Sequence, residues 1–276
     1  MINNKQDNKN KEYSDPNINL IRNIIKQLSY FNNISDENIN EITKSSQLKS
    51  FQVGYPIIFP DSIPESINII LEGEARLLSE EDEKPITIAK LGKGSLIGLS
   101  SILSTSGNES VNASSIVKTL SIPDYLILKL YENEKYFRLW CEENIFPGEI
   151  LSITNKLIKK SSRSDLDLRS CFNVLFKNSK ILSIKNDGYI KQDNNDCLIC
   201  SSNNIENFSI GQLIDSDQGI KVKSPFNSRI TKIPRLVYDE FMNSQNQSNY
   251  KSNISLKEND TNEIDFTKDF PKASTI

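Results

Sequence analysis

Glycines spaced so as to expose backbone amides are the clearest chemical resource in this sequence. Gly92, Gly94 and Gly98 follow the apolar run ITIAKL in ITIAKLGKGSLIGLSSIL. In such a place a glycine lets N–H groups approach an anion, and the start of a short helix adds its partial positive charge. Gly54 in FQVGYPIIF and Gly73 in INIILEGEARLL stand earlier, each in a turn between strand-like runs. A dinucleotide loop is the first reading to weigh. The spacing is GxGxxxG, one residue longer than that fingerprint, and no βαβ alternation follows it.

Side-chain chemistry is sparser. The 276 residues include no histidine, which removes Ser-His and Cys-His nucleophile systems and most zinc and haem ligand sets. No nucleophile and base stand in a recognisable constellation, so the sequence predicts neither enzyme activity nor a cofactor nor a metal site. Cys197 and Cys200 form a CxxC without a second pair to complete a zinc site. In the strand-like DCLICSS, residues three apart face opposite ways, so these thiols and those of Cys141 and Cys171 are expected to be buried. Glu80, Glu81, Asp82 and Glu83 read as a solvated hairpin loop.

The net charge of −3 gives no general attraction to nucleic acid or to an anionic membrane. The sequence contains no run of 18 apolar residues, so no membrane insertion is expected. Without a signal-peptide pattern, a cytoplasmic location with reduced thiols follows.

The elements that must position the glycines divide the chain. Residues 1–15 are polar and expected to be disordered. Leu20, Ile21, Ile24, Ile25 and Leu28 recur at helical spacing, and Ser35 caps a second helix beginning DENINEI. Short strands follow at 48–53, 56–59, 66–71, 74–79, 85–90 and 114–122, with a helix over 98–103, and their number and spacing indicate a closed or double-sheet antiparallel barrel. One helix is predicted over 123–139, anchored by Leu126, Leu130 and Phe137 with Trp140 just beyond it. Another starts at Pro147 with an Ile150, Ile153, Leu157, Ile158 stripe and a basic end, and a third covers 165–176.

KILSIK, DCLICSS, GIKVK and SRITKIP then return to strand alternation, and LVYDEF closes on a short helix. The resulting organisation is a barrel with flanking helices at 16–145, a helical connector at 146–178, a second small β unit at 179–242, and a linker or disordered tail at 243–276. VNASSIVKTLSIPDYLILKL and IKVKSPFNSRITKIPRLVYDEF both run a strand into Ile-Pro and then a helix, which points to a degenerate repeat.

The first-hairpin glycine, the ILEGE turn, the GxG hairpin and the xIGL segment, in this order over residues 30–130, resemble the cyclic nucleotide-binding domain of bacterial regulators, kinases and channels. The resemblance implies an α+β, mainly β fold: an antiparallel jelly-roll barrel of cyclic nucleotide-binding type with flanking helices, joined here by the second β unit. It also implies a ligand pocket at Gly73, Gly98, Leu99, Ser100, Val111, Asn112 and Ala113, the last segment being the phosphate-binding cassette.

In that family a glutamate after the cassette glycine accepts from the ribose hydroxyl, and an arginine two residues before the alanine pairs with the phosphate. Here those positions are Leu99 and Val111. Ser95–Val117 contains no Lys or Arg, and its only charge is Glu109. Losing one partner of such a charge pair costs about 2 to 5 kcal/mol, about a hundred-fold to several-thousand-fold in affinity. The pocket therefore reads as degenerate, and Leu99→Glu with Val111→Arg is the substitution the alignment suggests would rebuild it.

The family's regulators continue into a helix-turn-helix, which this chain lacks, so no nucleic-acid partner is expected. The whole also resembles the cytosolic N-terminal region of cyanobacterial ABC-type secretion exporters. That implies a regulatory or protein-interaction module with a protein partner, such as exporter subunits or domains, at the cytosolic face of the inner membrane. The helix at 147–160 implies a homodimer. A pocket re-tuned for a neutral or apolar ligand, or residual cyclic nucleotide binding, is the alternative reading.

Overall fold

Alternation in SINIILE sets where the barrel core lies. Within β3 (Ser66–Glu72), Ile67 and Ile69 pack into a cluster with the helices, whereas Ile70 packs into the cluster between the sheets. The structure is a computed structural model that describes residues 16–81, 83–163, 165–185, 188–190, 194–214, 219–223 and 225–242. The expectations for residues 1–15, for 243–276 and for Asp82 lie outside the described residues.

Two four-stranded antiparallel sheets form the first unit. One has the order β1 (Gln47–Phe51), β8 (Val117–Pro123), β3, β6 (Leu96–Ile97), and the other β2 (Pro56–Ile58), β7 (Val111–Ala113), β4 (Ala75–Glu81), β5 (Lys84–Leu91). Ile57, Leu77, Ile88 and Val111 of the second sheet meet Ile70 and Val117 of the first in one buried cluster. Helices α1 (Pro16–Gln27) and α2 (Asp36–Ser45) cover the outer face of the first sheet, and Ser35 caps α2 by accepting from the Asn38 amide at 3.4 Å. The short α3 (Leu99–Leu103) sits between β6 and β7. The α+β, jelly-roll character expected of the chain is what this topology displays.

Two local expectations need correction. The helix predicted over 123–139 is two, α4 (Asp124–Asn133) and α5 (Lys135–Glu143). They part at Glu134, whose carboxylate is drawn to the α2 cap, accepting from the Ser35 amide at 3.0 Å, the Ser35 hydroxyl at 2.6 Å and Asn38 Nδ2 at 2.7 Å. The strand predicted over 114–122 begins instead at Val117 and runs to Pro123. Ser114 and Ser115 both donate their amides to the Glu74 carbonyl, so the chain turns there between β7 and β8.

After α6 (Pro147–Ser161) and α7 (Leu168–Asn178), a three-stranded antiparallel sheet runs in the order β10 (Asp196–Cys200), β11 (Ser228–Pro234), β9 (Lys180–Ile184), followed by α8 (Arg235–Met242). GIKVK makes only isolated bridges, Ile220 to Gly188 and Val222 to Ile205. This sheet has the register of the first one. Gln47 lies opposite Ser121, two residues before Pro123, and Lys180 lies opposite Lys232, two residues before Pro234. Ser66 faces Pro123, and Asp196 faces Pro234.

The match extends to the glycine turns. Gly94 and Ser95 bond Ile70 in the first unit as Gly211 and Gln212 bond Cys200 in the second, and both glycines have φ of 87°. All four cysteines are buried, and Cys197 and Cys200 of β10 face different apolar clusters. No described helix is long and apolar enough to cross a membrane.

Candidate functional site

Turn geometry prepares the cassette. Gly98, the residue before α3, has φ of +92°, and a Cβ there would come within 2.9 Å of Pro64 Cγ, so only glycine fits. Gly73 is also confined: φ is +88°, and a Cβ would stand 2.2 Å from the Ile116 carbonyl oxygen. Gly73 lies in the turn that joins β3 to β4, against Ser115 and Ile116 rather than beside α3.

The other expected pocket residues do not line one cavity. Leu99 and Val111 are both 0% exposed, yet Leu99 packs with the helices and Val111 between the sheets. Ala113 is buried in register with Ala75, and Asn112 pairs with Pro56 and Arg76 in the ladder. Gly98, Leu99 and Ser100 are consecutive at the start of α3, with the Leu99 side chain in the cluster formed with the helices. A charge placed at Leu99 and one placed at Val111 would each enter a separate apolar cluster.

Glu109 has its carboxyl at the start of α3, within reach of the Gly98 and Ser101 amides. It is 5% exposed, and Ser101 Oγ lies 3.3 Å from its Oε2. Burial, the largest cause, pushes its carboxyl up to about 7. The Ser100 and Ser101 hydroxyls and the Gly98 and Ser101 amides act in the opposite direction by favouring the ionised form. Asn108 completes the plug, its Oδ1 accepting from Ser100 Oγ at 2.7 Å and from Ser101 Oγ at 3.0 Å, while its Nδ2 donates to Ser104 Oγ at 2.9 Å.

The first turn of α6 closes over this cluster. Pro147 and Gly148 are buried, and a Cβ on Gly148 would stand 2.3 Å from Glu109 Cγ and 2.7 Å from Ser100 Oγ. The first turn of α6 is thus packed directly on Glu109, Ser100 and Asn108. A groove of about 770 Å³ lies outside this cluster, bordered by β4, the 106–110 loop, the Ser152–Lys156 face of α6 and Asn203 of the second unit. Its lining includes Glu109 and Lys156 but neither Leu99 nor Val111.

In fold, the chain is similar to solved cyclic nucleotide-binding and cyclic nucleotide-binding-like domains. A cyclic nucleotide-binding domain from Methylobacillus flagellatus KT is 20% identical, covers 45% of this chain and 72% of its own, and gives a TM-score of 0.37. A cyclic nucleotide-binding-like protein from Brucella abortus is 18% identical over 41% of this chain and 98% of its own, at 0.36. The regulatory domain of Toxoplasma gondii PKA, solved with cAMP, is 12% identical over 82% of this chain and 92% of its own, at 0.39. No family model and no curated protein matches the chain.

Sequence reasoning noted Glu109 only as the one charge of Ser95–Val117. Its burial was not legible, because it depends on α6 returning across α3 from 40 residues downstream. The α6 stripe is also spent inside the chain: Ile150, Ile153 and Leu157 are fully buried against α7, α8 and the barrel. Among the described residues no group of His, Cys, Asp or Glu is arranged to hold a metal.

Proposed function

We propose that this chain is a non-enzymatic regulatory or protein-interaction module, built on a cyclic nucleotide-binding-like barrel whose cassette no longer takes a cyclic nucleotide. The observation that supports this reading is the plug: Glu109 and Asn108 use the hydrogen-bonding groups at the start of α3, and Gly148 of α6 lies directly on them. An incoming phosphate would have to displace a buried carboxyl from the start of α3.

The second β unit, with the register of the first, is read as a degenerate repeat that serves as part of the same scaffold. A role as the N-terminal regulatory part of an ABC-type exporter, at the cytosolic face of a membrane, rests on the sequence resemblance. Any homodimer through α6 would have to use its polar face, since the apolar stripe is already covered.

The groove favours a second reading, a small-molecule sensor. Its volume falls in the range of ligand sites. Its Ser, Asn and charged lining suits a polar ligand rather than the apolar one that Leu99 and Val111 suggested. Titration calorimetry with cyclic AMP and cyclic GMP tests the first reading. Heats indistinguishable from dilution up to ~1 mM are expected of a closed cassette, whereas a dissociation constant of ~10 µM or tighter for either nucleotide would overturn it.

A further inference from the structure

Arg229 belongs to the central strand of the second unit, yet it spends its guanidinium on the first. Nε donates to Glu149 Oε1 at 3.0 Å and Nη2 to Glu149 Oε2 at 2.8 Å, a two-pronged pair whose side chains are 4% and 1% exposed. Nη1 donates to the Cys141 carbonyl at 2.6 Å and Nη2 to the Asn144 carbonyl at 2.8 Å, and the Phe146 ring lies 5.2 Å from the guanidinium carbon. Cys141 and Asn144 are at the end of α5, and Glu149 is in the first turn of α6. One side chain of β11 thus ties both sides of the α5–α6 corner.

The residue next to Glu149 is Gly148, which rests on Glu109 and Ser100. The second unit also holds the far end of α3, because the Asn203 amide donates to the Ser104 carbonyl at 2.8 Å. We infer that Arg229 is a latch through which the second β unit holds the first turn of α6 down on the cassette, so that loosening the second unit uncovers Ser100 and Glu109. The latch does not depend on whether the cassette has lost nucleotide binding, since it concerns the position of α6 alone.

A buried ion pair suits this task better than apolar packing. Its orientation is fixed by four hydrogen bonds, and removing one partner leaves a buried charge uncompensated, whereas removing both leaves an apolar contact of similar volume. The test is Glu149→Met with Arg229→Met in the full chain, read by amide hydrogen exchange and by emission of Trp140. This is the protein's single tryptophan, with its ring 5.8 Å from Phe146.

The double variant is expected to keep a cooperative unfolding transition and a shifted Trp140 emission. Amides at 98–104 and 108–110 should exchange about tenfold faster or more, with β3 amides unchanged. Unchanged exchange at the cassette overturns the latch. If the variant does not fold, exchange of the natural protein in low urea decides: cassette amides that open together with β11 amides support the latch, and β11 opening with the cassette still protected refutes it.

Discussion

Replacing Glu109 with Gln should stabilise the protein at high pH and leave it almost unchanged at low pH. The Glu109 carboxyl is pushed from 4.5 up to about 7 by burial. Below 4.5 both folded and unfolded chains carry the proton. Between 4.5 and about 7 the unfolded chain has released it while the folded chain retains it, so the contribution of Glu109 falls as pH rises and levels off above about 7. At about 1.4 kcal/mol per pH unit, that interval corresponds to about 3 kcal/mol.

Gln is neutral throughout and keeps an oxygen to accept from Ser101, so Glu109→Gln avoids the loss. Urea unfolding at pH 4.5 and pH 8 should give variants equal to within about 0.5 kcal/mol at the lower pH and a Gln variant more stable by about 3 kcal/mol at the higher one. Taking the difference between the two proteins cancels the other carboxylates. A Gln variant less stable than the natural protein at pH 8, or a difference that does not change with pH, would refute the reasoning. Either result would mean that the hydrogen bonds at the start of α3 outweigh the desolvation of the charge.

Gly148→Ala should lower stability by about 1 to 3 kcal/mol in thermal or urea unfolding, because the added methyl collides with Glu109 Cγ and Ser100 Oγ. Leu99→Glu should cost more than about 3 kcal/mol and confer no cyclic nucleotide affinity by calorimetry, since Leu99 is fully enclosed by apolar neighbours. The thiols should be inert: burial pushes Cys171 up to about 12 and Cys200 up to about 11, and raises Cys141 and Cys197 as well. Ellman's reagent at pH 8 should therefore label the native protein only at the rate of unfolding, with full labelling in urea.

Much of the scaffold was legible because it is local. The turns at Gly73 and Gly98 announce themselves by residue type, and both glycines have the positive φ that such turns require. The strand alternation of INII survives in the clusters its residues enter, Ile67 and Ile69 with the helices and Ile70 between the sheets. The break at Glu134 was not legible, since helical periodicity continues through it and the cause is a distant cap at Ser35. In the same way, the partner of Glu149 lies 80 residues away on β11, and no pattern in either segment names the other.

The cassette divides along the same line. Its missing charges could be read by position, whereas Leu99 and Val111 entering different clusters, and Glu109 being buried at the start of α3, follow from packing alone. A signal for the second unit was present and overlooked: GSLI at 94–97 recurs as GQLI at 211–214, with the same hydrogen bonds back to the preceding strand.

The most direct test of a self-filled cassette is to record the amide resonances of Gly98, Leu99, Ser100 and Ser101 by nitrogen-15 NMR while cyclic AMP is titrated in. Those amides should not move up to ~1 mM nucleotide. They should shift together on titration of pH through about 7, as Glu109 changes charge beside them. Saturable nucleotide-dependent shifts at Gly98 and Ser100, with no response to pH in that range, would contradict it.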